Sequence, residues 1–179
     1  MDNLSEHEDA NGRGEVGEAA TEQAPPERAL PEAIEPGLGW EDRPVLCVGG
    51  RGSLDDVAAA ILAQLLEQCG IGTRVASHEA ITTGAYTNLD MAGVQVVCLS
   101  YMNPDSIAHA RYAVRRLRRR TSGPIAVGFW SLDPDDPKCP DLVTATRSDL
   151  SATLLGGMTE EILSLVPMVG ASGEAAVMR

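Results

Sequence analysis

Aromatic residues make up only 3% of this 179-residue sequence: two Trp, three Tyr and one Phe. A core built from it must therefore be aliphatic. Long hydrophobic runs are missing too, and none approaches the length needed to span a bilayer. The amino terminus is acidic and polar, unlike a signal peptide. These absences predict a soluble, cytoplasmic chain. Cysteine is sparse: Cys47, Cys69, Cys98 and Cys139 form no C-x-x-C pair, which predicts reduced, buried thiols rather than disulfides or a zinc site. No set of His, Cys and carboxylates has metal-ligand spacing. Basic residues are outnumbered, 14 against 26 acids, for a net charge of −12 that argues against nucleic acid as a partner.

The acidity is uneven. Residues 1–43 carry twelve acids and three arginines, whereas the remainder carries fourteen acids and eleven bases. Rich in Glu, Ala, Gly and Pro and without a sustained period, residues 1–40 predict a disordered acidic leader. Leu30, Ile34, Leu38 and Trp40 are its candidates for docking on a domain spanning 41–167, and 168–179 reads as a frayed tail.

The domain opens with P-V-L-C-V-G-G-R-G-S-L-D-D-V-A-A-A-I-L-A-Q-L-L-E-Q-C-G, Pro44 to Gly70. Val45–Val48 is apolar on both faces, as in a buried parallel strand. Gly49, Gly50 and Gly52 break it. Leu54, Val57, Ala58, Ile61, Leu62, Leu65, Leu66 and Cys69 then follow one helical face. Ser53 suits the N-cap, Asp55 and Asp56 suit the helix dipole, and Gly70 stops the helix. Further strands are predicted at 73–77, 94–99, 125–129 and 142–145, with a short helix around 85–89. A helix from Asp105 or Ser106 to about Arg120 has Ile107, Ala110, Val114 and Leu117 as its apolar stripe. A last helix opens at Ser148 or Ser151 and ends at Pro167, with Gly156 and Gly157 inside it. Strands alternating with helices predict an α/β, doubly wound, flavodoxin-like three-layer sandwich. Its five-stranded parallel sheet would have the order 2-1-3-4-5.

In such a fold a ligand sits at the carboxyl ends of strands one and three. The candidate ligand-binding residues there are Gly50, Arg51, Gly52, Ser53, Ser100, Tyr101, Asn103, Trp130 and Ser131, with Thr146 and Arg147 further round the rim. The glycine turn reads either as structural or as an anion or nucleotide site; from Gly50 it runs G-x-G-x-x-D, neither a full dinucleotide fingerprint nor a P-loop. His78 and His109 read as surface or boundary residues, and no Ser-His-Asp or Cys-His set assembles. Ser100 stands where a phospho-acceptor receiver would place Asp. The run R-R-L-R-R-R presents Arg111, Arg115, Arg118 and Arg119 as a candidate face for an anionic partner. The alternatives there are a solvated surface, the acidic leader or an anionic membrane surface.

Two blocks carry a resemblance. P-V-L-C-V-G-G-R-G-S-L-D-D-V-A-A-A-I-L-A-Q-L-L and V-V-C-L-S-Y-M-N-P-D-S-I-A-H-A-R-Y-A-V-R-R-L-R-R-R resemble the soluble C-terminal region of bacterial autoinducer exporter permeases. That resemblance, over about residues 40–130, implies a cytosolic domain tied to a membrane permease. More distantly the domain resembles the cobalamin-binding fold, in which a D-x-H-x-x-G motif after strand one supplies a cobalt-ligating histidine. This chain reads G-R-G-S-L-D-D there, and only Ser100 and Gly128 match the small residues at the ends of strands three and four. The expectations are a non-catalytic sensor or regulatory module with no cofactor, cobalamin lacking its ligand. The alternative is a small-molecule or cofactor-binding domain, or an enzyme, working at the mouth of the sheet.

Overall fold

The structure, a computed structural model, describes residues 31–36, 40, 42–137 and 139–167. The expectations for residues 1–30, Leu38 and 168–179 lie outside the described residues. The elements are β1 (Val45–Gly49), α1 (Ser53–Gln68), β2 (Thr73–Ala76), β3 (Val96–Tyr101), α2 (Ile107–Leu117), β4 (Ile125–Phe129), α3 (Leu142–Thr146), β5 (Leu150–Ala152) and α4 (Leu155–Leu165). The sheet is parallel throughout, in the order β2-β1-β3-β4-β5.

The three central strands are buried along their whole length, which is why they read as unbroken apolar runs. Alternate residues serve two cores. Leu46, Val48, Val97, Leu99, Tyr101, Ile125, Val127 and Phe129 pack with Ala110, Ala113, Val114 and Leu117 of α2 and Leu142 of α3. Val45, Cys47, Val96, Cys98 and Ala126 pack with Ala59, Leu62, Ala63 and Leu66 of α1 and Met158 and Ile162 of α4. Ile34 and Trp40 join this second core, so the leader's inner edge is part of the domain. The Ile34 amide donates to the Cys69 carbonyl (2.9 Å). Gly70 sits beneath that segment at φ +89, and a Cβ there would lie 2.4 Å from the Ile34 carbonyl oxygen. Cys47 and Cys98 are register partners on β1 and β3, and both are free thiols.

Several expectations are corrected. The run Leu142–Ala145 is helical, not the fifth strand; Leu142 and Thr146 are buried one turn apart, and the strand is the three residues after Asp149. The last helix accordingly starts at Leu155, with Gly156 and Gly157 in its first turn, where the ladder they weaken is only beginning. The third strand runs on through Ser100 and Tyr101. The short helix expected around 85–89 is the 3₁₀ turn Tyr86–Asn88, and a second 3₁₀ turn that was not expected, His78–Ile81, precedes it on the way from β2 towards β3. Ser106, one of the two expected residues, is the N-cap of α2, but without a side-chain capping bond. The 3₁₀ turn before it, Pro104–Ser106, is capped by Asn103, whose Oδ1 accepts from the Asp105 amide, and α2 proper ends at Leu117.

The rotation of α1 also differs. Leu54 (70% exposed), Val57 and Ile61 face outward, while Asp55, Ala58, Ala59, Leu62, Ala63 and Leu66 face the sheet. The helix is apolar over more than half its girth, so period alone does not fix its inner face. Alanines let it approach the sheet closely, and the Asp55 carboxylate is drawn in by two amides. Gly52, not Ser53, is its N-cap.

Candidate functional site

The strand order reverses between β1 and β3, and their carboxyl ends open a mouth there. The glycine turn shapes one wall. The Gly50 amide donates to the Ser100 carbonyl (2.9 Å), and Gly50 packs against the Tyr101 ring, where a Cβ would sit 2.1 Å from a ring carbon. The two carboxylates after the turn do more than complement the helix dipole. Asp55, 7% exposed, accepts from the Arg51 amide (2.7 Å) and the Met102 amide (2.8 Å) and so ties the β1 turn to the end of β3. Asp56 accepts from the His78 amide (2.6 Å) and pairs with His78 Nδ1 (2.8 Å), tying α1 to the end of β2.

Arg51 stands between two hollows. One, about 450 Å³, has Gly52, Ser53, Leu54, Met102 and Asn103 around it. The other, about 190 Å³, is lined by Gly50, Arg51, His78, Ile81, Thr82 and His109. The fold thus brings together two histidines that sequence alone places at a surface or boundary. With Nδ1 held by a carboxylate, His78 presents Nε2 in a fixed direction, as hydrogen-bond partner or ligand. His109 Nδ1 lies 3.1 Å from the Tyr101 hydroxyl. Burial first, then the Arg51 charge, lowers the His109 pKa, with Asp55 opposing. Burial first, then the Asp55 charge, pushes the Tyr101 hydroxyl up, so it stays protonated and stacks on Phe129. Chain position held a clue to this pairing: His78 follows a strand and His109 opens a helix, and both places are carboxyl-edge places in this topology.

The other expected rim residues divide. Gly50, Arg51, Gly52, Ser53 and Asn103 are at the mouth. Ser100 and Tyr101 are not on a rim: they lie inside β3 and are fully buried, Ser100 with its Oγ unpartnered. Trp130 folds back over Gly128, where a Cβ would meet its indole at 2.0 Å, and packs into the α1–α4 core. Ser131 is exposed and lines neither hollow. Thr146 is internal, bonded to the Leu142 carbonyl and Ser148, and Arg147 points to α2 instead of the mouth, because the strand that would have carried them is a helix. Among the described residues no group of three or more His, Cys, Asp or Glu is arranged to hold a metal ion.

The arginine run also divides. Arg118 is paired with Asp149 (2.6 Å) and bonded to the Gly123 carbonyl. Arg116, nearly buried, donates to the Ile81 and Thr82 carbonyls, and Arg120 to those of Tyr86 and Leu89. Arg116 thus clamps the 3₁₀ turn that lines the smaller mouth hollow, and Arg120 the 3₁₀ turn that follows it. Arg111, Arg115 and Arg119 remain exposed.

Fold and mouth together define a doubly wound, flavodoxin-like α/β domain. No family profile matches the chain, and no curated protein sequence does. A solved structure that it resembles is a cobalamin-binding protein from Desulfitobacterium hafniense DCB-2, at TM-score 0.56 and 13% identity, covering 71% of this chain and 60% of that one. This chain thus spans less than two thirds of that protein, and the likeness is one of fold. The autoinducer exporter resemblance finds no support in these comparisons. Among the described residues no helix is long and apolar enough to cross a membrane.

Proposed function

We propose that the chain is a small-molecule-binding domain whose ligand sits at the carboxyl ends of β1 and β3, against Arg51, His78 and His109. The observation that carries this reading is the convergence of those three side chains on one hollow at the strand-order reversal. The general rule for open α/β sheets places ligands there, and a cobalamin-binding structural neighbour supports use of the fold for a small molecule. Arg51 and the His78 imidazole favour a ligand with a carboxylate or phosphate group, bound clear of the amino end of α1, which Asp55 and Asp56 already occupy. The small hollow suits the head of such a molecule, and the larger one beyond Arg51 its remainder.

The residues do not fit a corrinoid held by a histidine of the β1 turn. That turn has none, and the Trp130 indole fills the space over Gly128. No step through cobalt follows. The proposal also assigns no reaction: the Asp56–His78 pair orients an imidazole towards a ligand, which binding alone requires.

Thermal shift across a set of small organic phosphates, carboxylates and hydroxocobalamin tests the reading, followed by calorimetry on any hit. A hit whose affinity falls about tenfold or more in both Arg51→Ala and His78→Ala supports it, since each removes a charge-assisted bond. Hits unaffected by both changes, or a corrinoid complex insensitive to them, overturn it.

A further inference from the structure

We propose that a second site, in the hollow between α2 and the end of α3, binds a ligand carrying two or more ionised phosphate groups. The hollow measures about 310 Å³ and is lined by Ala108, Arg111, Tyr112, Arg115 and Arg147. It shares no residue with the mouth hollows.

Three arginines line it, two from α2 and one from the residue after α3. Arg111 and Arg115 stand one turn apart on the outer face of α2, with Ala108 a turn before them leaving room. Arg147 arrives from the other side, one residue past α3. Its backbone is left-handed (φ 61), a helix-ending conformation that glycine adopts freely and arginine does not. None of the three has a carboxylate partner among the described residues, whereas neighbouring Arg118 does. Like charges gathered without a counter-charge repel one another, and an anion shared between them removes that repulsion.

The geometry favours a compact polyanion. Guanidinium forks match phosphate oxygens two at a time. Tyr112, half-exposed, stands at the hollow with two arginines near its ring: Arg115 lies 5.5 Å and Arg116 5.4 Å from its centroid. Arg116 is itself fixed by the Ile81 and Thr82 carbonyls and by the Tyr86 ring at 3.9 Å. Tyr112 adds a phenolic side chain to the lining of the hollow. Carboxylates strung along a peptide cannot concentrate charge in so small a space as a pyrophosphate does.

The test uses the full chain at low salt. Calorimetry with inorganic pyrophosphate and flotation with phosphatidylcholine vesicles containing phosphatidic acid separate a soluble ligand from a lipid headgroup. Arg147→Gly is the informative variant, because it removes a guanidinium while relaxing the left-handed backbone. Thermal stability should hold or rise while binding weakens about tenfold or more. Arg111→Gln should weaken binding similarly. Arg119→Gln, exposed and outside the hollow, should change it less than twofold. Pyrophosphate binding with this pattern supports the site with a soluble ligand, and vesicle binding alone with the same pattern supports it with a lipid source. No binding of either probe overturns the proposal. So does a loss shared equally by Arg119→Gln, which would reduce the effect to overall charge.

Discussion

Replacing Asp55 by Ala probes the joint on which the mouth depends. Its two carboxylate oxygens accept from the amides of Arg51 and Met102, at 2.7 and 2.8 Å. A hydrogen bond to a charged group contributes about 1.5–3 kcal/mol. Arg51 is exposed and Met102 half-buried, so water partly replaces the lost acceptor, and the sum falls to about 2–4 kcal/mol. Against a total stability of roughly 5–15 kcal/mol that is a large loss for one substitution in a first helical turn. Asp55→Asn keeps the shape but offers one acceptor where two are needed, so it should fall between Ala and wild type. Urea unfolding measures both, with the slope m unchanged if the transition stays two-state. Amide exchange should quicken at Arg51 and Met102 before it does in β4. A loss below about 0.5 kcal/mol for Asp55→Ala, the size of an ordinary surface change, would refute the reasoning.

Gly50→Ala would drive a methyl group into the Tyr101 ring, which is buried and stacked on Phe129, and should cost about 1–3 kcal/mol in urea unfolding; wild-type stability would mean that Tyr101 lies elsewhere. Arg116→Met leaves the Ile81 and Thr82 carbonyls without their donors and should cost about 2–4 kcal/mol by the same measurement, while Arg119→Met should stay within about 0.5 kcal/mol. His109 has a folded pKa below its ordinary 6.5, so the folded state binds fewer protons there than the unfolded chain. Its contribution is therefore complete above pH 6.5 and is lost as pH falls through the folded value. Urea midpoints across that window should decline in the wild type and flatten in His109→Gln; equal slopes would contradict the assignment.

The sheet was legible because its central strands are buried on both faces. V-L-C-V and I-A-V-G-F admit no polar residue, and a strand followed by glycine and then an amphipathic helix has few other homes. The fifth strand was not legible. L-V-T-A is equally a short buried strand or one turn of helix, and the true strand, L-S-A, is too short to show a period. The mouth was half legible. Topology gave its position, and Arg51, Ser53 and Asn103 came with it. His78 and His109 stand thirty-one positions apart and no local pattern joins them; β2 and α2 bring them together only after the sheet forms. The arginine run misled in the opposite direction. Six arginines in ten residues look like one charged face, yet backbone carbonyls and Asp149 engage three of them.

The central claim is that ligand binding and the Arg51–His78–His109 hollow are one and the same site. The most direct measurement is the imidazole nitrogen–proton NMR spectrum, recorded while a ligand found by thermal shift is titrated into the full chain. The account predicts that the His78 and His109 resonances move together, with one dissociation constant matching calorimetry, and that Arg51→Ala weakens both responses in parallel. Binding that leaves both imidazoles unmoved, while amides elsewhere shift, would contradict it.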